Sequence, residues 1–517
     1  MLENAQLTPP SDDGGVLIAP DPIECAAAAR ANHQALHDSK IPVWNSTLGE
    51  YRRAVRLAVA GADDRFVIVT GHQPGFMHAG VWAKHVVTTR LAVALDGLSI
   101  NLIVDSDAAQ QTTLVIPAVQ EDDVALRRIP FADVPTDHAY EQIQAANAAQ
   151  AGGFAAAVRE AMGSRCDSSL MPTFLGALFA TTFRTDDWVD QIVEARSAIE
   201  ATFAMRMANV RVSRVWWAPL FADMLAHAER FVSSYNRALA WYRRTYRVRG
   251  VGRPLPDLIR RGNALELPVW AYRAGEPRRR VFASEMGDSW SLWADDVEVG
   301  VASRAHLTAW VARSTGGFEW EGWRLRPRVL ALTLWARLLL ADMFVHGIGG
   351  AQYDRITDAI IQDYYGCPPP RMACVSATLL MDLPRTETTP EKVRRLRYRL
   401  RDLEWNPQRH SAIADEAGAL IDRRRLAVGR AVSLREREPG HRLARRRLFD
   451  EIRAINAELL AAFPFARDGL QAELAVAVED LARDRLTSGR EYFFGLHSRA
   501  ALQRLLDALP AVSAFRV

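Results

Sequence analysis

Two short apolar runs in the first quarter of the chain have the pattern of buried β-strands. Residues 65–70 and 99–104 are rich in Val, Ile and Leu, and a Gly or an Asp follows each run. Runs of this length that end at turn residues are typical of buried strands. A glycine-rich segment, 71–80, and a helical pattern over 81–95 lie between them. The order strand, loop, helix, strand predicts a βαβ unit within a parallel sheet.

The same order of elements recurs in the second half of the chain. Residues 341–345 have a strand pattern, 346–350 form a second glycine-rich loop, 354–365 follow as a helix and 373–381 as a final strand. Because both segments carry the same order, we predict one α/β, Rossmann-like parallel-sheet core. It is assembled from two distant parts of the chain with an insertion between them.

The segments outside this core have weaker patterns. Helices are expected over 25–37 and 47–60, before the first strand. The remaining predictions are a hairpin at 113–119 and 124–129, mainly helices over 138–210, a core strand at 212–220, a long amphipathic helix at 227–246, a small β-rich insertion over 253–324, a helix at 328–340 and a buried strand at 492–494.

The composition changes after Pro390. Arg and Glu become dense up to about Leu486, and Leu, Ile and Ala recur every three or four residues, with Pro439-Gly440 near the middle. This pattern predicts a C-terminal α-helical hairpin that packs as a coiled coil. The predicted parts are an N-terminal helical arm, the first part of the core, a connecting insertion, the second part of the core, the hairpin and a return to the core, at residues 1–60, 61–220, 221–325, 326–388, 389–486 and 487–517.

Composition and charge narrow the class of protein. Hydrophobic residues make up 49% and charged residues 24%, which is typical of globular proteins. The 64 basic and 61 acidic residues give a net charge of +3, which does not indicate a nucleic-acid-binding protein. Acidic residues alternate with the arginines of the predicted hairpin, as on a solvated helical face. Nucleic acid is therefore not an expected partner.

The chain lacks the signals of a membrane or secreted protein. No apolar run reaches the roughly 18–20 residues of a membrane span. The first residues lack the basic and apolar segments of a secretory signal. The 4 cysteines are too scattered for a disulfide framework or a zinc site. We expect a cytoplasmic protein with no membrane segment.

The first glycine-rich segment carries the clearest candidate chemistry. It leaves a strand and opens a helix, so unpaired backbone N–H groups favour an anion there. Imidazole and ammonium groups add possible donors to phosphate oxygens, and a lysine is rare in this chain, where nearly all basic residues are arginines. The predicted catalytic residues here are His72, His78 and Lys84, and the predicted binding residues are Thr70, Gly71, Gln73, Gly75, Gly80 and Trp82. The alternative is a tight turn whose histidines are packed for structural reasons.

Two acidic residues, Asp105 and Asp107, follow the second strand. Ligands of open α/β sheets bind beyond the carboxyl ends of the strands. We predict a catalytic role for Asp107, and we expect Asp105 to hold a substrate amine, ribose hydroxyls or Mg²⁺. A helix cap or a turn is the structural alternative for both.

The second glycine-rich loop also follows a strand and precedes a helix. His346 is predicted to be catalytic, as a base or a phosphate contact. Five neighbours are predicted to bind the ligand, namely Gly347, Gly349, Gly350, Tyr353 and Asp354. Asn236, on the predicted helix 227–246, is a candidate for substrate selection, with core packing as the alternative. No metal-binding spacing joins the histidines, so no metal site is expected.

These loops, in this order, resemble the cysteine-adding enzymes of bacillithiol biosynthesis, a family of cysteine ligases. In the first half of the chain, residues 70–75 are similar to that family's TGQQxG loop, residues 79–84 to its GPLY…K helix start, and residues 103–107 to its strand ending in an acidic run. In the second half, residues 326–350 are similar to its RP…GGPGE segment and residues 367–379 to its PxP…SxTL run. The chain departs from the pattern where His72 replaces Gln and where His-Gly-Ile-Gly-Gly replaces GGPGE.

The resemblance implies a core related to the HIGH-type nucleotidyl transferases and a C-terminal coiled coil that forms a homodimer. It also implies a ligase-like enzyme that joins an amino acid, cysteine in that family, or a small amine to a small polar acceptor. If a nucleotide activates the acceptor, ATP or ADP with Mg²⁺ is expected. The alternative is a non-catalytic nucleotide- or metabolite-binding protein that assembles through its coiled coil.

Overall fold

The computed structural model describes residues 7–61, 63–120, 123–250, 255–313, 316–386, 388–438 and 440–516. The chain divides into two compact units. The first, called the core unit, comprises the residues up to 118, 126–381 and those from 490 onward. The second, called the helical unit, comprises 119–125 and 382–489.

The described elements include strands and helices, and the last part of the chain, from α14 to α19, is helical. The strands are β1 (Val16–Ala19), β2 (Pro42–Val43), β3 (Ser46–Thr47), β4 (Val67–His72), β5 (Leu98–Ile103), β6 (Thr113–Gln120), β7 (Asp123–Pro130), β8 (Ala208–Arg211), β9 (Arg260–Arg261), β10 (Ala264–Tyr272), β11 (Arg279–Met286), β12 (Ser289–Ala294), β13 (Val297–Ser303), β14 (Glu319–Trp320), β15 (Trp323–Pro327), β16 (Met343–His346) and β17 (Met372–Ala377). The α-helices are α1 (Pro22–His37), α2 (Leu48–Ala60), α3 (Ala79–Ala94), α4 (Ala148–Met162), α5 (Arg165–Ser168), α6 (Met171–Thr181), α7 (Trp188–Ala201), α8 (Ala218–Ala226), α9 (Ala228–Thr245), α10 (Arg304–Ala312), α11 (Val329–Trp335), α12 (Ile348–Tyr353), α13 (Arg355–Ile360), α14 (Pro390–Trp405), α15 (Ser411–Ala414), α16 (Gly418–Arg437), α17 (Arg442–Ala462), α18 (Pro464–Thr487) and α19 (Arg499–Ala508).

The central sheet of the core unit is mainly parallel. Its order is β1-β17-β16-β4-β5-β8, and only β1 runs antiparallel to its neighbour. Numbered along the chain, the five parallel strands lie in the order 3-2-1-4-5. The order therefore reverses between β4 and β16, which is where open α/β sheets form a crevice for ligands. The predicted α/β class with a parallel sheet is confirmed.

A second, antiparallel sheet lies in the region predicted as a β-rich insertion. Its order is β13-β12-β11-β10-β15-β14, with β9 paired to β10. Strand β10 is almost wholly buried, and it pairs with β15 from Val269 opposite Pro327 to Tyr272 opposite Arg324. The predicted β-structure over 253–324 is confirmed within the described residues; residues 253–254 and 314–315 lie outside them.

The predicted core strand at 212–220 is wrong. Residues Val212–Arg214 form a short 3₁₀ turn, and helix α8 begins at Ala218. Pro219 lies in the first turn of that helix, where a proline is well tolerated. The strand of this region is instead β8, which ends just before residue 212. Strand β8 is mostly exposed, so it lacks the apolar run that would predict a buried strand.

The predicted strand at 492–494 is also wrong, although its residues are buried. Phe494 begins a 3₁₀ turn, and Phe493 makes one isolated bridge with His78. Aromatic packing accounts for the apolar run, because the ring of Phe494 stacks on Trp82 with a centroid distance of 5.4 Å. The ring of Phe493 lies 5.1 Å from that of Phe174.

The helical unit contains a long helical hairpin, and each of its two arms consists of more than one helix. Helix α14 packs on α18, and α16 packs on α17. A cluster of buried apolar side chains, Leu403, Ile413, Ile455 and Leu459 among them, lies between these helices. The predicted hairpin is present as four main helices, and Pro439 lies outside the described residues. None of the described helices has the length and apolar composition needed to cross a membrane.

Candidate functional site

A cavity of about 390 Å³ lies in the core unit, at the carboxyl ends of β4 and β16. This volume is in the range of small-molecule sites. The predicted residues that line it are Gly71, His72, Gln73, His78, Gly80, Lys84, Asp107, His346, Gly347, Gly349, Gly350 and Tyr353. Both glycine-rich loops therefore meet at the point where the strand order reverses.

Helix α3 begins immediately after the first loop, with His78 as its N-cap. The Nδ1 atom of His78 accepts a hydrogen bond from the N–H of Gly80 at 3.1 Å. Its Nε2 lies 3.2 Å from a carboxylate oxygen of Glu491, to which an Nε2–H donates. Burial lowers the pKa of His78 to about 4, although the Glu491 carboxylate opposes the effect. His78 is therefore a neutral helix cap rather than a cationic phosphate contact.

Gly80 is required where α3 passes close to the sheet. A Cβ at this position would lie 2.5 Å from the carbonyl oxygen of Ala377 in β17. No side chain fits there without moving the backbone, so the glycine sets the distance between α3 and β17.

His72, at the end of β4, is also neutral. Its Nδ1 lies 3.0 Å from the carbonyl oxygen of Gln73 and therefore donates to it, which leaves Nε2 as an acceptor. Enclosure of the ring lowers the pKa of His72 to about 3, and the nearby Lys84 ammonium adds to this effect. His72 was expected to donate to phosphate, but its free ring nitrogen, Nε2, is a hydrogen-bond acceptor.

Lys84 brings a positive charge into the cavity wall from the second turn of α3. Its Nζ donates to the carbonyl oxygen of Gly71 at 2.8 Å, and its side chain is only 4% exposed. Burial lowers the pKa of Lys84 to about 8. An ammonium with a pKa near 8 is still mainly charged at neutral pH, so Lys84 favours an acidic ligand.

The second loop presents His346 at the end of β16. Its Nε2 lies 3.0 Å from the Oδ2 atom of Asp354, which also accepts from Arg337 at 2.8 Å. Burial alone would raise the pKa of Asp354, but Arg337 and His346 hold it well below its usual range. Asp354 does not line the cavity; it lies behind His346.

The two predicted acidic residues are separated by the fold. Asp105 is fully buried outside the cavity, where it accepts from Arg211 at 2.6 Å and from the N–H of Ser213 at 2.8 Å. Asp107 lines the cavity and accepts from Gln73 at 2.6 Å and from Arg278 at 2.9 Å.

These carboxylates do not fit a protein-held Mg²⁺ site. Those of Asp105 and Asp107 are both already engaged by arginines. No three His, Cys, Asp or Glu side chains cluster as metal ligands in the described parts of the chain.

Four other predicted residues have structural contacts instead of lining the cavity. Thr70 donates through Oγ1 to the carbonyl oxygen of Val345 at 2.8 Å, which joins β4 to β16. Trp82 is fully buried, and a Cβ on Gly75 would lie 2.8 Å from the carbonyl oxygen of Gln111. The side-chain amide of Asn236 pairs with both backbone groups of Leu258.

Sequence reasoning missed two arginines of the cavity wall. Arg328 donates to Glu266 at 2.6 Å, and its guanidinium lies 4.7 Å from the ring centre of Trp270, which also lines the cavity. Arg490 donates to Ser376 at 3.3 Å and to Thr378 at 3.2 Å, and it forms an ion pair with Glu491 at 3.2 Å. No local motif marks either arginine, because tertiary contacts bring them to the cavity from distant segments.

Among the described residues, Lys84 carries the charge of the cavity wall that no ion pair compensates. The other charged side chains that line the cavity are paired, Arg328 with Glu266, Arg490 with Glu491 and Asp107 with Arg278. Such a wall attracts a small acidic molecule, and the lone pairs of His72 and His346 can accept its N–H or O–H groups. Comparisons of the sequence with protein-family models and with curated proteins give no match. The resemblance to the cysteine ligases thus stays a prediction.

Proposed function

We propose that the cavity between β4 and β16 binds a small acidic molecule, a nucleotide or a carboxylic acid. The observation that carries this proposal is Lys84, a buried ammonium that forms no ion pair within the described residues. An uncompensated buried charge costs free energy in the empty protein, and an anion in the cavity offsets that cost. Arg328 and Arg490 supply further donors on the same wall.

The same proposal extends to a ligase-like enzyme with a Rossmann-like core. It joins an amino acid or a small amine to a small polar acceptor, as the resemblance implies. Lys84 and Arg490 would hold the acidic group of the acceptor, and His346 would accept a proton from the amine. A nucleotide, if bound, would supply the activation of the acceptor. The engaged carboxylates of Asp105 and Asp107 support no step through protein-bound Mg²⁺.

A release assay tests the enzyme proposal. We expect the full chain to release phosphate or pyrophosphate from ATP when an amino acid and a polar carboxylic acid are both present. His346→Gln should lower this rate about a hundredfold or more, in line with the loss of a general base. An exposed histidine change, His441→Gln, is the matched control. Absence of release over a panel of amines and acids would contradict a nucleotide-dependent ligase.

A non-catalytic metabolite-binding protein that assembles through its helical unit is the second candidate. The observation that favours it is a set of exposed apolar side chains on that unit. Tyr398, Leu426 and Leu443 are between 70% and 78% exposed. We propose that these side chains pack in a homodimer, through coiled-coil contacts. Saturable nucleotide binding without turnover would select this candidate over the ligase.

A further inference from the structure

A histidine and a buried aspartate form a hydrogen-bonded pair at the back of the cavity. The Nε2 of His346 lies 3.0 Å from Oδ2 of Asp354, and Asp354 is completely buried. An ionised carboxylate only accepts hydrogen bonds, so the imidazole must be the donor. The Nε2 atom therefore carries a proton.

Arg337 also donates to the oxygen of Asp354 that His346 contacts. Its Nη1 donates to Oδ2 of Asp354 at 2.8 Å, and its Nη2 donates to Oδ1 of Asp358 at 2.5 Å. Arg337 is fully buried, so the carboxylate of Asp354 is held in place and kept ionised.

The other ring nitrogen of His346 is left open. Nδ1 has no hydrogen-bond partner among the described residues. Gly350 lies beside it on the cavity wall, and a Cβ on Gly350 would lie only 2.7 Å from Nδ1. Phe344 packs on the imidazole with a centroid distance of 4.4 Å and limits its rotation. A glycine at position 350 thus keeps the Nδ1 lone pair uncovered.

We propose that Asp354 is a positioning residue that keeps the proton on Nε2 of His346, so that Nδ1 is the proton acceptor of the cavity. The proton comes from an amine or hydroxyl of the bound molecule. It moves to the Nδ1 lone pair, the electrons of the broken bond stay on the substrate nitrogen or oxygen, and the carboxylate of Asp354 compensates the imidazolium. Only the identity of that molecule rests on the proposed function.

Nitrogen NMR of the full chain with ¹⁵N-labelled histidine tests this proposal without any ligand. We expect a protonated Nε2 and an unprotonated Nδ1 for His346, with the signals assigned by their loss in His346→Gln. In Asp354→Asn, the Nε2 proton should exchange with water about tenfold faster or more, because a charge-assisted hydrogen bond is replaced by a neutral one. A proton on Nδ1 in the wild type would overturn the proposal.

Asp358→Asn is the matched control for a merely structural effect. It removes a carboxylate from the same arginine, and among the described residues Asp358 forms neither a hydrogen bond nor an ion pair with His346, although its charge acts on His346 through space. The Nε2 proton of His346 should exchange in this variant as slowly as in the wild type; an equal acceleration of exchange in both variants would overturn the positioning role.

If Asp354→Asn does not fold, a comparison of substitutions at Gly350 and Gly349 still tests the placement of Nδ1. Gly350→Ala should move the His346 signals, whereas Gly349→Ala, where a Cβ meets no atom within 4 Å, should not. Unmoved signals in Gly350→Ala would overturn the placement of Nδ1. Because no ligand is present, these results are independent of whether nucleotide or acid binding is found.

Discussion

Lys84 is the residue on which the chemistry of the cavity depends most. Its ammonium is buried, its hydrogen-bond partner is the neutral carbonyl oxygen of Gly71, and burial lowers its pKa to about 8. In the unfolded chain a lysine keeps its ordinary pKa near 10.5. Between these values the unfolded chain binds more protons than the folded protein, so stability rises with pH across this window.

We expect Lys84→Met to stabilise the empty protein at pH 7. The gain in unfolding free energy should be about 1–3 kcal/mol, because the cost of burying the charge is removed while the hydrogen bond to Gly71 is lost. The difference from wild type should shrink as the pH rises from about 8 to 10.5. Urea unfolding at several pH values measures it.

Lys40→Met is the control for this prediction, because Lys40 is exposed. Its effect should stay within about 0.5 kcal/mol at every pH. A Lys84→Met variant that is less stable than wild type at pH 7, with no dependence on pH, would show that the ammonium is not buried at a cost.

At this scale the positions of the site residues were predictable, and their chemical roles were only partly so. His72 and His346 stand in glycine-rich loops after strands, a pattern that the sequence shows directly. Which nitrogen carries the proton depends on Gln73 and Asp354, which the folded chain places beside them. Sequence spacing cannot reveal a tautomer, so His72, expected as a donor to phosphate, has an acceptor as its free nitrogen, and the expectation for His346 left both roles open.

Among the elements, those with a strong local pattern were predicted well. Strands β4, β5 and β16 are apolar runs between turn signals, and helix α3 follows a glycine-rich loop, so local sequence is sufficient. The segments 212–220 and 492–494, which were wrongly predicted as strands, are also largely apolar and buried. In these segments the apolar side chains pack against aromatic rings and do not belong to a strand of a sheet. A short apolar run in the sequence is the same in both cases.

A buried amide joins the helices of the helical unit where one arm of the hairpin is broken. Asn456 accepts from Arg424 at 2.7 Å and donates to the carbonyl oxygen of Trp405 at 3.0 Å. Because Trp405 ends α14 while Asn456 lies in α17, this side chain ties the two helices together.

Asn456→Ala should therefore destabilise the helical unit. It leaves buried donors and acceptors without partners, which costs about 2–3 kcal/mol. Thermal unfolding of the full chain, followed by helical circular dichroism, measures the loss. Gln471→Ala removes an exposed amide from α18 and should change stability by less than about 0.5 kcal/mol. Equal effects of the two substitutions would contradict the role given to Asn456.

For the whole molecule, the proposed homodimer makes a direct prediction. Leu426 and Leu443 are 71% and 78% exposed on the helical unit, and an exposed apolar surface of this kind is typical of an interface. Light scattering at micromolar concentration should give a dimer for the wild type and a monomer for the double variant Leu426→Glu and Leu443→Glu. Leu57→Glu, a change at a core-unit leucine that is 62% exposed, should remain dimeric. A monomeric wild type would rule out this assembly.

The measurement that tests the central claim most directly is isothermal titration of the full chain with ATP, ADP, AMP, inorganic phosphate and small carboxylic acids. We expect saturable binding of at least one of them, weakened about thirtyfold or more in Lys84→Met and unchanged in Lys40→Met. This result would place an acidic ligand against the buried ammonium between β4 and β16. Binding that is equally strong in Lys84→Met, or no binding of any of these molecules, would contradict the account.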